Sequence, residues 1–511
     1  MRIFDNKAIM LNLRDPKKVT EMIPKSKAVD DHKVVVNWGV DEAKALRNMN
    51  INAPSPIEGR YKWTGKHEPF AHQKKTAGFL TMNRRAFCFN EQGTGKTASA
   101  IWAADYLMKQ GKVNRVLVIC PLSIMDSAWR ADLFTFAMHR TVDVAHGAKD
   151  KRRKLIEGGA EFVIINYDGV EIVQDVIADG GFDCIIIDEA THYKNVQTKR
   201  WKTLNKLLKP DTWLWLMTGT PAAQSPLDAY GLAKLVNAKA VPKFFGSFRD
   251  QVMVKLTQFK WIPKENATDI VFNALQPAIR YTKDECLDLP PMVYVKREIE
   301  LTRQQKKYYK ELQDKMVMHA AGEEITAPNA AVVMNKLLQI SCGAVYTDGG
   351  DSLEFDIKHR YKVLREVIDE SSKKVLVFVP FKHVIDVLTD KLRGDGISTE
   401  IIRGDVPAAK RTDIFKRFQE NDDPKVLVIQ PQSAAHGVTL TAANTVVWWG
   451  PTSSLETYAQ ANARVHRSGQ DQKCTVVQLQ GSGVEKRVYS LLDNRIDVHT
   501  KMIDLYNEMI D

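Results

Sequence analysis

Two successive α/β units, each a parallel sheet flanked by helices, behind a small N-terminal accessory module: this is the architecture the sequence predicts. Three observations lead there. The chain has 511 residues, roughly three times a usual domain of about 150, which calls for two large domains plus smaller attachments. From about residue 65, short runs rich in β-branched and aromatic residues alternate with helix-length segments, the pattern of strands joined by helical crossovers. That alternation fades between about 237 and 290 and then returns, which separates one sheet from the next.

In the first half the strand runs are 85–89, 115–120, 162–166, 182–187 and 213–217. In the second they are 374–379, 399–402, 425–429, 445–449 and 474–479, so each sheet is expected to hold about five strands. Residues 1–62 differ in character. A short apolar run at 34–36, a helical patch at 41–49 and the turn-rich Ala53-Pro54-Ser55-Pro56 mark an accessory module ending in a linker. The expected divisions are therefore 1–62 for that module, 63–236 for the first domain, 237–290 for a connecting or inserted helical segment, and 291–511 for the second domain. Residues 304–318 read as an amphipathic helix whose Lys306, Lys307, Lys310 and Lys315 form a solvated face. No solenoid-length repeat is present.

A hydrophobic content of 44% supplies sizeable cores. The formal net charge of +11 points to a polyanionic partner such as nucleic acid. Six cysteines are dispersed with no C-x-x-C pair, which argues for buried thiols in a reducing compartment rather than a zinc site or disulfide framework. No apolar run approaches the roughly 18 residues of a membrane span, and the N-terminus has no apolar signal core. A soluble intracellular protein without a membrane partner is expected.

The strand run 85–89 leads into Asn90-Glu91-Gln92-Gly93-Thr94-Gly95-Lys96-Thr97, and a helical stretch, 98–109, follows. Strand, glycine turn and helix N-terminus together make a phosphate loop: Gly93, Thr94 and Gly95 let backbone N–H groups close on phosphate oxygens, and the helix end favours the anion. Lys96 is then placed for the β- and γ-phosphates and Thr97 for Mg²⁺. Asn90 occupies the place of the pattern's first glycine. The apolar run Cys184-Ile185-Ile186-Ile187 ends in Asp188-Glu189-Ala190, and carboxylates at the carboxyl end of a buried strand sit where such sheets bind ligands. Asp188 is the expected Mg²⁺ ligand and Glu189 the residue that orients or deprotonates water. Upstream, the Gln73 side-chain amide offers a partner for an adenine edge, and Thr218-Gly219-Thr220-Pro221 forms a turn after its strand. In the second half, Arg464 and Arg467 are three residues apart within 460–470, so on a helix they would share a face and could both reach one polyphosphate.

Taken together, Gln73, residues 93–97, 188–190, 218–221 and 460–470 resemble the motifs of superfamily-two helicases, and more narrowly of Swi/Snf-type DNA translocases in a minimal, bacterial or phage-like form. Lys194-Asn195, Cys120-Pro121-Leu122-Ser123 with Trp129, the segment 433–443 and the segment 304–309 add matches, in collinear order over about 65–490. The resemblance implies two RecA-like lobes with ATP at their interface and DNA across both. It implies that Gln73 recognises adenine, that Gly93, Thr94, Gly95, Lys96 and Thr97 hold phosphate and Mg²⁺, and that Asp188 and Glu189 do the metal and water work. Gln460, Arg464 and Arg467 would act from the second lobe. Pro121, Ser123, Asn166, Tyr167, Thr220, Gly437 and Thr439 would face the nucleic-acid backbone. The sequence departs from the family at Thr191, where a histidine is usual and His192 comes one place later. It departs again in 434–439, where a glycine-rich run is usual, and at Asn90-Glu91.

The expected activity is ATP-dependent movement along DNA, with duplex as the implied track and a monomeric motor. Strand-separating helicases on single-stranded DNA or RNA stay open within the enzyme class, and an inactive nucleic-acid-binding scaffold outside it. The implied location is the cytoplasm of a bacterium or phage-infected host, or the nucleus for a eukaryotic source. The basic stretch 194–209 reads first as a solvated helix, with an added DNA-facing patch as the second reading.

Overall fold

The computed structural model describes residues 1–65, 68–219, 221–222, 225–256, 261–286, 289–320, 327–346, 352–434, 438–467 and 469–494. Contacts divide the chain into two compact units, Met1–Cys286 and Leu287–Asp511.

The first unit opens on an antiparallel sheet of β1 (Arg2–Phe4), β2 (Ala8–Asn12), β3 (Ser26–Ala28) and β4 (Lys33–Asn37), ordered β1-β2-β4-β3. Strand alternation puts Ile9, Leu11, Val34 and Val36 on one buried face. These residues join Ala43 and Leu46 of the helix Val40–Asn48 in a single apolar cluster that continues to Trp102 and Trp215. The turn-rich stretch after that helix is packed rather than free: Ala53 and Ser55 are buried, and the Trp38 indole N–H donates to the Pro54 carbonyl at 2.9 Å.

A seven-stranded, wholly parallel sheet follows. Its strands are β5 (Arg85–Cys88), β6 (Val116–Cys120), β7 (Val142–Val144), β8 (Phe162–Asn166), β9 (Cys184–Asp188) and β10 (Trp213–Met217). The hairpin of β11 (Met253–Lys255) and β12 (Trp261–Pro263) intervenes before β13 (Ala278–Ile279) completes the sheet. The order is β13-β5-β10-β9-β6-β8-β7. In β9 and β6, Ile186 and Val118 enter the cluster on one face, Ile185, Ile187, Leu117 and Ile119 that on the other.

The second unit holds six parallel strands, with the short hairpin β15 (Ala344–Tyr346) and β16 (Ser352–Glu354) beside them. They are β14 (Met292–Glu298), β17 (Lys374–Phe378), β18 (Thr399–Ile402), β19 (Val426–Ile429), β20 (Ala443–Trp448) and β21 (Cys474–Gln480), in the order β14-β21-β20-β17-β19-β18. The α/β class and the two parallel sheets stand as expected, but the sheets have seven and six strands rather than about five. Every added strand, β7, β13 and β14, is an edge. Central strands of a parallel sheet are buried on both faces and read as continuous apolar runs, whereas β7 has three half-buried residues and β14 alternates with exposed ones.

One buried ionic node ties the first unit together. The Asp105 carboxylate, inaccessible to solvent, accepts from the Tyr61 hydroxyl at 2.6 Å and Arg140 Nε at 2.7 Å, and pairs with Lys109 at 2.8 Å. Burial pushes this acid up, but the bonds from Lys109, Tyr61 and Arg140 outweigh it and hold the pKa below its ordinary 3.8. The depressed acid lends stability that is fully present above the unfolded value and is lost as pH falls through the folded one. Asp105→Asn is therefore expected to cost about 3 kcal/mol at pH 7, by leaving cations facing a neutral amide. In urea melts the difference from the wild type should shrink below pH 4, and a pH-independent difference would refute the account.

None of the six cysteines forms a disulfide, and the four expected inside or beside strands, Cys88, Cys120, Cys184 and Cys474, are buried. Among the described residues no helix is long and apolar enough to cross a membrane.

Candidate nucleotide site

The carboxyl ends of β5, β10 and β9 meet at one level. Met217 is in register with both Cys88 and Asp188, and the Thr218 N–H donates to the Cys88 carbonyl at 3.1 Å. Three segments far apart in sequence therefore leave the sheet side by side.

The loop after β5 turns through left-handed backbone at Gly93 (φ 86°) and Gly95 (φ 83°). At Gly95 a Cβ would be strained by φ and would also collide with the Gln73 amide. The helix Lys96–Lys109 begins directly after, with Lys96 and Thr97 in its first turn. Lys96 is buried, and its ammonium donates to the carbonyls of Asn90 at 2.9 Å and Glu91 at 3.3 Å. Thr97 is half-buried, and the Thr94 hydroxyl donates to the Glu91 carbonyl at 2.7 Å.

The departure at Asn90 has a structural reason. Its fully buried side chain donates to Thr76 Oγ1 at 2.8 Å and accepts from the Tyr281 N–H at 3.0 Å. Glu91 adds a bond from the Lys283 N–H to its Oε2 at 3.1 Å. Glycine at position 90 would supply none of Asn90's clamp on the segment that follows β13. Gln73 lies at the start of the helix Ala71–Met82, where its Oε1 accepts from the Phe70 N–H at 3.0 Å and its Nε2 donates to the Thr94 carbonyl at 3.2 Å. The Thr94 carbonyl also lies 2.8 Å from His72 Nε2. Burial lowers the pKa of His72, which suits a neutral ring donating from Nε2. Sequence reasoning passed over His72, since a lone histidine beside a glutamine carries no signal until the loop folds over it.

Asp188 ends β9 nine-tenths buried. Its Oδ2 accepts from the Trp129 indole N–H at 2.9 Å and its Oδ1 from the Glu189 N–H at 3.1 Å. Trp129, quoted above only as a motif match, thus fixes the carboxylate's orientation. Glu189 is left-handed at φ 50°, a conformation costing roughly 1–3 kcal/mol in a non-glycine residue and concentrated at functional sites. Its Oε1 accepts from Gln92 Nε2 at 3.4 Å. The Tyr167 hydroxyl donates to the Asp188 carbonyl at 2.6 Å.

Of the residues expected to face nucleic acid, Ser123 is exposed and Pro121 buried. Asn166 and Tyr167 spend their side chains inside the unit: Asn166 Oδ1 accepts from Arg152 at 2.8 Å, and Tyr167 braces Asp188. Thr220 and Gly437 lie outside the described residues.

In the second unit the helix Leu455–Asn462 stops before the arginines, so Arg464 and Arg467 do not share a helical face as their spacing predicted. They converge through a turn instead. Arg464 Nη1 and Arg467 Nη1 both donate to the Val438 carbonyl, at 3.4 and 3.3 Å, and Arg467 Nη1 also donates to Thr439 Oγ1 at 3.0 Å. Arg464 and Gln460 are buried, and Gln460 Nε2 donates to Glu456 at 3.0 Å. The turn is held by buried Gln470, whose Nε2 donates to the carbonyls of Ala443 at 2.9 Å and Val465 at 3.1 Å. No local pattern marks Gln470, because its partners lie across the turn and in the segment entering β20.

Comparison with known proteins agrees with these motifs. Chromodomain-helicase-DNA-binding protein 1-like of Mus musculus is 26% identical over 437 residues, covering 81% of this chain and 47% of that protein. An uncharacterized ATP-dependent helicase of Mycoplasma genitalium is 25% identical over 431 residues, covering 81% and 40%. The chain thus spans less than half the length of these curated relatives. The solved Sulfolobus solfataricus SWI2/SNF2 ATPase core in complex with dsDNA is 22% identical with a TM-score of 0.43, covering 84% of this chain and 92% of that one. Residues 26–342 match the SNF2-related domain and residues 359–469 the helicase conserved C-terminal domain. With its phosphate loop, Asp-Glu strand end and arginine turn all inside those spans, the chain belongs to the SNF2-related helicase family.

Proposed function

We propose that this chain is an ATPase that couples hydrolysis to movement along DNA, with duplex as its track. The observation that carries the ATPase reading is the register of β5, β10 and β9, which brings Lys96 and the Asp188-Glu189 pair to one sheet edge. Thr97 and Asp188 offer hard oxygen donors, the chemistry Mg²⁺ takes, and would hold an ion that would supply charge neutralisation on the phosphates. Lys96 would exchange its loop carbonyls for phosphate oxygens, and the N–H groups around Gly93 and Gly95 would cradle the anion. Glu189 would take the proton of the attacking water. Arg464 and Arg467, by motif resemblance, would stabilise charge on the transferred phosphoryl group and make the second unit responsive to nucleotide.

DNA as the partner is supported by the net charge of +11 and by a relative whose name includes DNA binding. Binding through phosphates would be tolerant of sequence and weaken steeply with salt. The test is ATP turnover with duplex DNA, single-stranded DNA and RNA at matched nucleotide concentration. Duplex is expected to stimulate most. Greater stimulation by RNA or single strands would replace the duplex reading with the corresponding helicase, and equal turnover with and without every polymer would end the proposal. Arg467→Ala is expected to lower stimulated turnover by roughly 10²-fold or more, as for other transition-state cations, while leaving duplex binding measured by anisotropy within a few-fold.

A further inference from the structure

Gln92 is a residue that no part of the proposed mechanism uses. It lies in the phosphate loop immediately before Gly93, and its Nε2 donates to Glu189 Oε1 at 3.4 Å. Its own Oε1 is buried and has no hydrogen-bond partner among the described residues. Leaving an amide oxygen buried and unpaired costs about 1–3 kcal/mol, and such atoms call for an explanation. An apolar side chain of similar length would fill the same space without that cost. Gly219, in the turn after β10, lies alongside: a Cβ there would sit 3.5 Å from Gln92 Cγ. The Glu189 it contacts is itself held in left-handed backbone at φ 50°. Two unfavourable features therefore adjoin at one spot, at the carboxyl edge of the sheet, between the phosphate loop and the Asp188-Glu189 strand end.

We infer that Gln92 and Glu189 together form the seat of the nucleophilic water, with Gln92 Oε1 as its second hydrogen-bond acceptor. A water that donates one O–H to Glu189 and the other to Gln92 Oε1 has its lone pairs turned away from both acceptors, free for attack. The Gln92 N–H meanwhile holds the Glu189 carboxylate in place. In the step itself the water oxygen forms the new bond to the γ-phosphorus. The bond from that phosphorus to its bridging oxygen breaks, and its electron pair leaves on ADP. The proton lost by the water passes to the Glu189 carboxylate and from there to solvent. Gln92 exchanges no proton; it fixes direction. This inference rests on the ATPase reading above.

Gln92→Met keeps the length of the side chain and removes both polar atoms. It is expected to lower kcat about 10- to 100-fold, less than a full acid–base contribution because Glu189 remains, with KM for ATP changed less than threefold. Gln92→Leu, also apolar, is expected to act in the same way, and a loss confined to kcat is one that a merely structural role would not produce. Binding of a fluorescent ADP analogue by both variants checks that the loop is intact. The inference is overturned if Gln92→Met retains wild-type kcat or if its loss lies wholly in KM. Lys96→Ala in the same assay separates the two readings. Wild-type kcat in the Gln92 variants beside a dead Lys96→Ala enzyme sinks only the inference, whereas an active Lys96→Ala enzyme sinks the ATPase reading beneath it.

Discussion

Lys96→Ala is expected to reduce ATP turnover by about 10²- to 10³-fold or more, the scale on which removal of one preorganised electrostatic contact slows a reaction. Lys96 opens the helix Lys96–Lys109, and its buried ammonium donates to the carbonyls of Asn90 and Glu91 at 2.9 and 3.3 Å. Carbonyls stabilise a cation less than phosphate oxygens do, so the side chain has a strong reason to move to an anion. Truncation removes that partner and leaves two loop carbonyls that water can satisfy, so thermal stability should change little. Duplex binding, which depends on other surfaces, should persist. Turnover in a phosphate-release assay, beside anisotropy with labelled duplex, measures both. Unchanged turnover would show that Lys96 is not part of the hydrolytic site.

The second large effect is on stability. Arg360 and Glu485 form a buried pair in the second unit, 3% and 0% exposed, with Arg360 Nη2 donating to both carboxylate oxygens at 2.8 Å. Burial opposes the charge on Arg360, and the Glu485 carboxylate outweighs it, so the guanidinium is held more firmly protonated than usual. Arg360 also donates to the Trp449 carbonyl, just past the end of β20. Glu485, in the first turn of the helix Gly483–Asp493, closes its capping box, its Oε2 accepting from the N–H groups of Gly481 at 2.6 Å and Ser482 at 3.0 Å. The pair thus joins the helix Lys358–Glu370 to the exit of β20 and the start of the helix Gly483–Asp493. Arg360→Met would strand a buried carboxylate, and the expected loss is about 3–5 kcal/mol. Adding Glu485→Gln should recover part of it, since the amide needs no cation. Urea denaturation of the three variants tests this. A loss below about 1 kcal/mol for Arg360→Met would show the pair to be dispensable.

The legible parts of the fold and the illegible ones divide along a physical line. The five strand runs read in each half are β5, β6, β8, β9 and β10 in the first sheet and β17 to β21 in the second. Most are central, covered on both faces, and so written as apolar runs. Of the edges, β18 was short and apolar enough to read. β7 and β13 were too short, and β14 reads MVYVKRE, half of it meant for solvent. The glycine turn from Gly93 into the helix at Lys96 was legible because its pattern is local: glycine, lysine and threonine follow one another directly after a strand. Glu189 was legible as a neighbour of Asp188, but its left-handed backbone was not, since nothing in Asp-Glu-Ala demands it.

By itself, then, the sequence determined the α/β class, the two parallel sheets, the glycine turn from Gly93 to Thr97 and the family to which its motifs belong. These rest on short-range periodicity and on residues adjacent in the chain. Tertiary structure alone decided which side chains serve those motifs: His72 and Gln73 on the Thr94 carbonyl, Asn90 in place of a glycine, Trp129 on Asp188, Gln92 on Glu189. It also replaced a shared helical face at Arg464 and Arg467 with a turn pinned by Gln470. Each of these contacts joins residues whose spacing follows neither a helix nor a strand, or depends on a turn no local pattern dictates. Only the register of the sheets and the path of the loops bring such groups within hydrogen-bonding distance.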